Sequence, residues 1–110
     1  MKASFKLAGV LGMLACSAAW AADVDKAAAE SLIKQSGCGK CHSVSAKKVG
    51  PSYKDTAARL KGKPDAADEL YKHLTTNPTV KVDGADETHP SLKTKNDADV
   101  KNVVNYILAQ

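Results

Sequence analysis

Residues 38–42 read Cys38-Gly39-Lys40-Cys41-His42, a spacing that constrains how the rest of the chain folds. Two thiols separated by two residues can add to the two vinyl groups on one edge of a porphyrin. The imidazole that follows then turns under the ring, where it can bind the iron. C-x-x-C-H is the sequence signature of this covalent attachment. The stretch therefore predicts one covalent haem c, attached through Cys38 and Cys41 and ligated by His42.

Two other uses of a C-x-x-C pair fit the chain less well. A redox-active disulfide of the thioredoxin type needs a βαβ context, and no convincing strand alternation is evident in the sequence. A structural zinc site needs four ligands. The chain has no second C-x-x-C, and His73 and His89 do not stand at zinc-finger spacing. Haem attachment is the interpretation that the surrounding residues favour.

The first 21 residues have the pattern of a secretory signal peptide. Lys2 and Lys6 precede an apolar run over residues 7–15, and Ala19-Trp20-Ala21 fits the small-x-small pattern of a cleavage site. A membrane span needs about 20 apolar residues, more than this run supplies. We expect cleavage before Ala22, a periplasmic location and no membrane span after cleavage. Two alternatives are an uncleaved anchor and a lipoprotein modified at Cys16.

The division predicted here is a signal peptide over residues 1–21 and a monohaem domain over residues 22–110. Of the 110 residues, 89 then remain, and loss of Lys2 and Lys6 leaves 14 basic and 12 acidic residues, a net charge of +2. A charge this small gives no electrostatic support for nucleic-acid binding. The only aromatic residues left are Tyr53, Tyr71 and Tyr106. Since small domains often depend on a metal or cofactor for their core, we expect a large group to fill the middle of this one.

Apolar periodicity predicts three or four helices and an all-α fold wrapped around one haem. The helices are expected over about residues 23–36, residues 52–61, from residue 65 to about residue 76, and from Asn96 to near the C-terminus. The last is the clearest, because its apolar residues follow the i, i+3, i+4, i+7, i+8 pattern of one buried face. Turn and extended signals predict a long loop over residues 77–95.

The order of these segments resembles that of the short class I bacterial cytochromes c. A helix leads into the stretch over residues 36–44, which contains the C-x-x-C-H motif. Residues 49–55, Val-Gly-Pro-Ser-Tyr-Lys-Asp, follow it, and the end of the chain, residues 96–108, is similar to the C-terminal helix of the family. The resemblance implies the class I cytochrome c fold and an electron carrier that exchanges electrons with redox partner proteins in the periplasm.

The resemblance also implies roles for particular residues. The carbonyl of Pro51 is expected to accept a hydrogen bond from the ring nitrogen of His42 that does not bind iron. Such partners orient a metal-bound histidine and raise its basicity. The N-terminal and C-terminal helices are expected to cross, with Tyr106 and Ile107 near their contact.

The chain departs from the family at the distal ligand, which is normally a methionine in the loop before the last helix. No methionine remains after residue 21, and Thr88-His89-Pro90 stands at the equivalent place. We therefore predict His89 as the distal ligand, since Pro90 favours an extended backbone at the residue before it. The alternatives are an open site or ligation by His73, Lys93 or Lys95. If His73 is not the ligand, we expect it at the surface.

Three functions agree with these features. The first is a monomeric periplasmic electron carrier, not an enzyme. Its bis-histidine ligation predicts a low reduction potential, because a methionine ligand raises the potential and a second imidazole does not. The second is a haem protein with a labile distal site that binds or senses nitric oxide or carbon monoxide. The third is a haem subunit of a larger oxidoreductase. Four lysines near the motif could attract an acidic partner or serve only solubility: Lys40, Lys47, Lys48 and Lys54.

Overall fold

Helices form where apolar periodicity predicted them, in a computed structural model that describes residues 23–110. The predictions for residues 1–21 lie outside the described residues. The helices are α1 (Lys26–Gln35), α2 (Tyr53–Leu60), α3 (Ala66–Thr75) and α4 (Asp97–Leu108). The all-α fold class is confirmed, and the helix bounds agree with the sequence to within a few residues. Among residues 23–110 no helix is both long enough and apolar enough to cross a membrane.

Three of the helices begin at a side chain that accepts a hydrogen bond from a backbone N–H of the first turn. Asp25 accepts from Ala28 and so caps α1. Ser52 caps α2, its Oγ lying 3.1 Å from the N of Asp55. Asn96 caps α4, as the sequence predicted. These caps satisfy donors that have no partner within the helix.

Helix α4 is the centre of the packing, since α1, α2 and α3 all contact it. Val103 and Val104 on this helix have no exposed surface. The expected crossing of α1 and α4 is confirmed. Asn102 joins them twice, accepting from the N of Asp25 at 2.9 Å and donating to its carbonyl at 2.8 Å. The hydroxyl of Tyr106 adds a bond of 3.1 Å to Glu30.

The segment between α3 and α4 contains a β-hairpin that the sequence analysis did not predict. Strand β1 (Thr79–Val82) pairs antiparallel with β2 (Ala85–Thr88). Asp83 and Gly84 form the turn, with φ angles of 51° and 83°. Two left-handed residues match the twist of a two-residue hairpin, and Asp-Gly is a preferred sequence there. The expectation of an unbroken loop over residues 77–95 was therefore wrong.

We expect Ser52→Ala to lower the free energy of unfolding by about 1–2 kcal/mol, through loss of the α2 cap. Ser52 is fully buried, so water cannot replace the lost bond to Asp55. Ser45→Ala is the matched control, since Ser45 is an exposed loop residue. Denaturant unfolding of both holoproteins measures the difference. Equal stability of the two variants would contradict this account of α2.

Candidate haem-binding site

A cavity of about 650 Å³ lies among α2, α3, α4, the hairpin and the segment that carries the C-x-x-C-H motif. This volume is in the range of about 300–1,000 Å³ found for sites that enclose small molecules. Six buried apolar residues contribute to its lining: Leu60, Leu70, Leu74, Leu92, Val103 and Ile107. All five site residues singled out in the sequence also line it: Cys38, Cys41, His42, Pro51 and His89. The fold thus places the predicted chemistry around one large, mainly apolar space.

A tight turn after α1 directs the motif into this cavity. Gly37 has a left-handed φ of 73°, which a residue with a side chain rarely adopts, and Cys38–Lys40 form one turn of 3-10 helix. The backbone N–H of His42 donates to the carbonyl of Cys38 at 2.9 Å and closes the turn. Cys38 and Cys41 form no disulfide with each other and are both partly buried. Before haem attachment, burial raises the pKa of the Cys38 thiol.

The ring of His42 is held by the segment that follows the motif. Its Nδ1 lies 2.7 Å from the carbonyl oxygen of Pro51. A carbonyl only accepts hydrogen bonds, so Nδ1 of the neutral ring carries the proton and Nε2 keeps its lone pair. Gly50 allows this close approach, because a Cβ at residue 50 would lie 2.8 Å from Nδ1 and in contact with Cε1. His42 can therefore present Nε2 to a metal in one orientation.

The aromatic side chain of Tyr53 supports the same ring from α2. It stacks on His42 with ring centroids 5.8 Å apart and meets Tyr106 edge-on at 6.5 Å. Burial, with smaller contributions from Cys38 and Tyr106, raises the pKa of Tyr53 to about 12. The phenol is therefore neutral at physiological pH and adds no charge beside the metal position.

His89 lines the same cavity as His42, in the segment that follows β2. Their ring centroids are 6.1 Å apart. Two backbone contacts hold its segment: the N of His89 donates to the carbonyl of Pro78 at 2.8 Å, and Asn77 Nδ2 donates to the carbonyl of His89 at 3.1 Å. Its Nδ1 is buried and has no hydrogen-bond partner among residues 23–110. Burial, together with repulsion from His42, lowers the pKa of His89, so the imidazole is neutral and can donate a lone pair.

The expectation of a surface position for His73 was wrong. Its ring is partly buried, lines the cavity and lies 4.2 Å from the His89 ring, centroid to centroid. Burial, followed by repulsion from His89 and His42, lowers the pKa of His73. Lys93 and Lys95, the other alternative ligands, are exposed and do not line the cavity within residues 23–110.

Sequence analysis also missed Gly50 as a site residue, although its segment was recognised. The sequence feature that could have indicated this role is a glycine directly before Pro51, at a position where no turn requires glycine. For His73 the corresponding feature is its place between Leu70 and Leu74, which are both buried.

Among residues 23–110, no group of three or more histidine, cysteine or acidic side chains is arranged to hold a metal ion without a cofactor.

Gly50→Ala should displace the His42 ring, because the added methyl group would overlap it. We expect a lower yield of holoprotein and a weakened hydrogen bond between His42 and Pro51. The holoprotein that does form should show a high-spin component in its visible spectrum. Gly39→Ala is the control, since a Cβ there would meet no atom within 4 Å. Identical yields and spectra for the two variants would contradict the role given to Gly50.

Comparison with known proteins gives matches over most of the chain. The cytochrome c family model matches residues 27–110. Cytochrome c-551 of Ectopseudomonas mendocina is 42% identical over 82 residues, which cover 74% of this chain and 96% of the relative. Cytochrome c-552 of Nitrosomonas europaea is 37% identical over 98 residues, covering 89% and 92% of the two chains.

Solved structures agree with these relatives. The class 1 cytochrome MtoD from Sideroxydans lithotrophicus ES-1 superposes with a TM-score of 0.76 at 40% identity, covering 79% of this chain and 97% of its own. Wild-type Nitrosomonas europaea cytochrome c552 superposes with a TM-score of 0.56 at 33% identity, covering 72% and 95%. Cavity, motif and comparisons lead to one conclusion: this chain belongs to the cytochrome c family and is a small class I electron-transfer protein with one covalently bound haem c.

Proposed function

We propose that this cytochrome is a periplasmic electron carrier of low potential, with His42 and His89 as its two axial ligands. Cys38 and Cys41 hold the haem through thioether bonds. When bound, the haem supplies an iron that alternates between Fe(III) and Fe(II). The observation that carries the proposal is the placement of the two imidazoles, which both line the cavity with ring centroids 6.1 Å apart.

That separation agrees with two imidazoles binding one metal from opposite sides. A bond from a metal ion to an imidazole nitrogen is about 2 Å long. Ring bonds of about 1.3 Å place each nitrogen about 1 Å from its ring centre. Two rings with one metal between them therefore have centres about 6 Å apart.

The chain's own residues supply orientation and a dry environment. Pro51 accepts the Nδ1–H of His42 and so increases the electron density on Nε2. Gly50 and Tyr53 keep that ring in place. The buried leucines of the lining exclude water, which favours reversible electron transfer over chemistry on the iron. Two nitrogen ligands stabilise Fe(III) relative to a histidine–methionine pair, because thioether ligation raises the potential.

The surface beside the motif supports electron exchange with a protein partner. Val49 lines the cavity and is 47% exposed. Lys40, Lys47 and Lys48 precede it in the sequence and are also exposed. A small apolar patch bordered by positive charge favours brief docking of an acidic redox partner. The signal pattern of residues 1–21 supports a periplasmic location for that encounter, and we infer that the carrier acts as a monomer.

His89→Met should raise the reduction potential, by on the order of 0.1 V within the span of about 0.8 V that axial ligands control. The thioether favours Fe(II), whereas the imidazole that it replaces favours Fe(III). Potentiometric titration followed in the visible spectrum measures the change. His73→Met is the matched control and should leave the potential near the wild-type value. Because His73 lies beside His89 and carries a second imidazole, the deciding variant is His89→Met with His73→Ala. An unchanged or lower potential in that double variant would refute ligation by His89.

A further inference from the structure

All three histidines of the chain meet in the haem cavity. The His89 ring lies between the other two, 6.1 Å from His42 and 4.2 Å from His73. Electron transfer through a bis-histidine haem requires two of these rings. The third, His73, has no part in the function proposed above.

His73 and His89 belong to separate elements of the fold. Helix α3 carries His73 and is anchored on both sides of it by Leu70 and Leu74, each only 6% exposed. His89 follows β2 in a segment that backbone hydrogen bonds hold at Pro78 and Asn77. The segment returns to α3 at Leu92, whose N donates to the carbonyl of Leu74 at 3.0 Å. A displacement of His89 that is confined to the hairpin and residues 88–90 would therefore leave His73 in place.

The ring of His73 lies directly beside the space that His89 occupies. It contacts the His89 ring, and the charges of Arg59 and Glu69 also act on it. To take the place of the His89 ring, the ring of His73 would need to move its centre by about 4.2 Å, the distance between the two ring centroids. Rotation about the side-chain bonds of a histidine moves its ring over such a distance while the helix stays fixed.

We propose that His73 is a reserve distal ligand, which binds the haem iron when His89 is displaced. The inference rests on the proposed ligation by His42 and His89. In the exchange, His89 leaves with its nitrogen lone pair and neutral His73 donates its own. One coordinate bond breaks and another forms, while no electron or proton is transferred. The consequence is a site that remains six-coordinate when the loop opens.

Two lysines of the lining, Lys72 and Lys81, are weaker candidates for the same role. A lysine has an ordinary pKa of about 10.4 and must lose a proton before it can bind a metal, whereas histidine, near 6.5, is already neutral at physiological pH. Their side chains are also exposed, and Lys81 is paired with Asp86. Contact with the His89 ring singles out His73.

Four holoproteins test the proposal: wild type, His73→Ala, His89→Ala and the double variant. Ferric visible and electron paramagnetic resonance spectra of each give the spin state. We expect low-spin iron in the wild type and in both single variants, and loss of the low-spin signal in the double variant alone. Lys72→Ala in the His89→Ala background is the control and should stay low-spin. Added imidazole should restore the low-spin spectrum of the double variant if its cavity is intact.

Other patterns overturn the inference in distinguishable ways. High-spin iron in His89→Ala, with low-spin iron in His73→Ala, rejects the reserve ligand and leaves His89 as the distal ligand. High-spin iron in His73→Ala, with low-spin iron in His89→Ala, makes His73 the distal ligand of the wild type and rejects the proposed ligation by His89. A low-spin double variant means that another group binds, which also rejects the reserve ligand. Glutamine in place of alanine at residues 73 and 89 repeats the comparison if an alanine variant does not fold.

Discussion

The hydrogen bond between His42 and Pro51 joins the attachment motif to the rest of the structure. It connects a tight turn after α1 to the start of α2, nine residues further along the chain. The residues of the short segment 50–53 hold the His42 ring in place and begin α2. Gly50 leaves room for the imidazole, the carbonyl of Pro51 accepts a hydrogen bond from it, Ser52 caps α2 and Tyr53 stacks on the ring. The orientation of the proximal ligand and the start of a helix are therefore set together.

The haem completes a core that the chain alone does not fill. The apolar side chains of α2, α3 and α4 pack into one cluster around a cavity of about 650 Å³. Away from the cavity, packing depends on the crossing of α1 and α4, where small and β-branched residues such as Ala29 and Val104 are fully buried. In a domain this small, the cofactor is both the redox group and a large part of the interior. Binding of the cofactor and folding of the chain are thus linked.

The features that could be predicted from the sequence are those set by local rules. Helix α4 follows from a strict apolar spacing and the cap at Asn96, and the attachment site follows from three side chains within five residues. The hairpin was missed because its strands have four residues each and β2 is exposed throughout. The Asp83-Gly84 turn was the signal that could have revealed it.

Two site residues escaped prediction because their roles depend on tertiary contacts. His73 faces the cavity only because α3 packs against α4 through Leu70 and Leu74, an orientation that α3 alone does not specify. The importance of Gly50 arises from a ring that is eight residues away in the sequence and touches its Cα only after folding. Periodicity identifies which residues are buried, but it does not identify what they will touch.

The central claim is that His42 and His89 close both axial positions of the haem. The most direct test is the visible spectrum of the mature holoprotein, oxidised and reduced, before and after addition of carbon monoxide. The account predicts low-spin spectra in both oxidation states that carbon monoxide does not change. A high-spin spectrum, or rapid binding of carbon monoxide to the reduced protein, would contradict it. The protein would then have an open site suited to binding a small ligand.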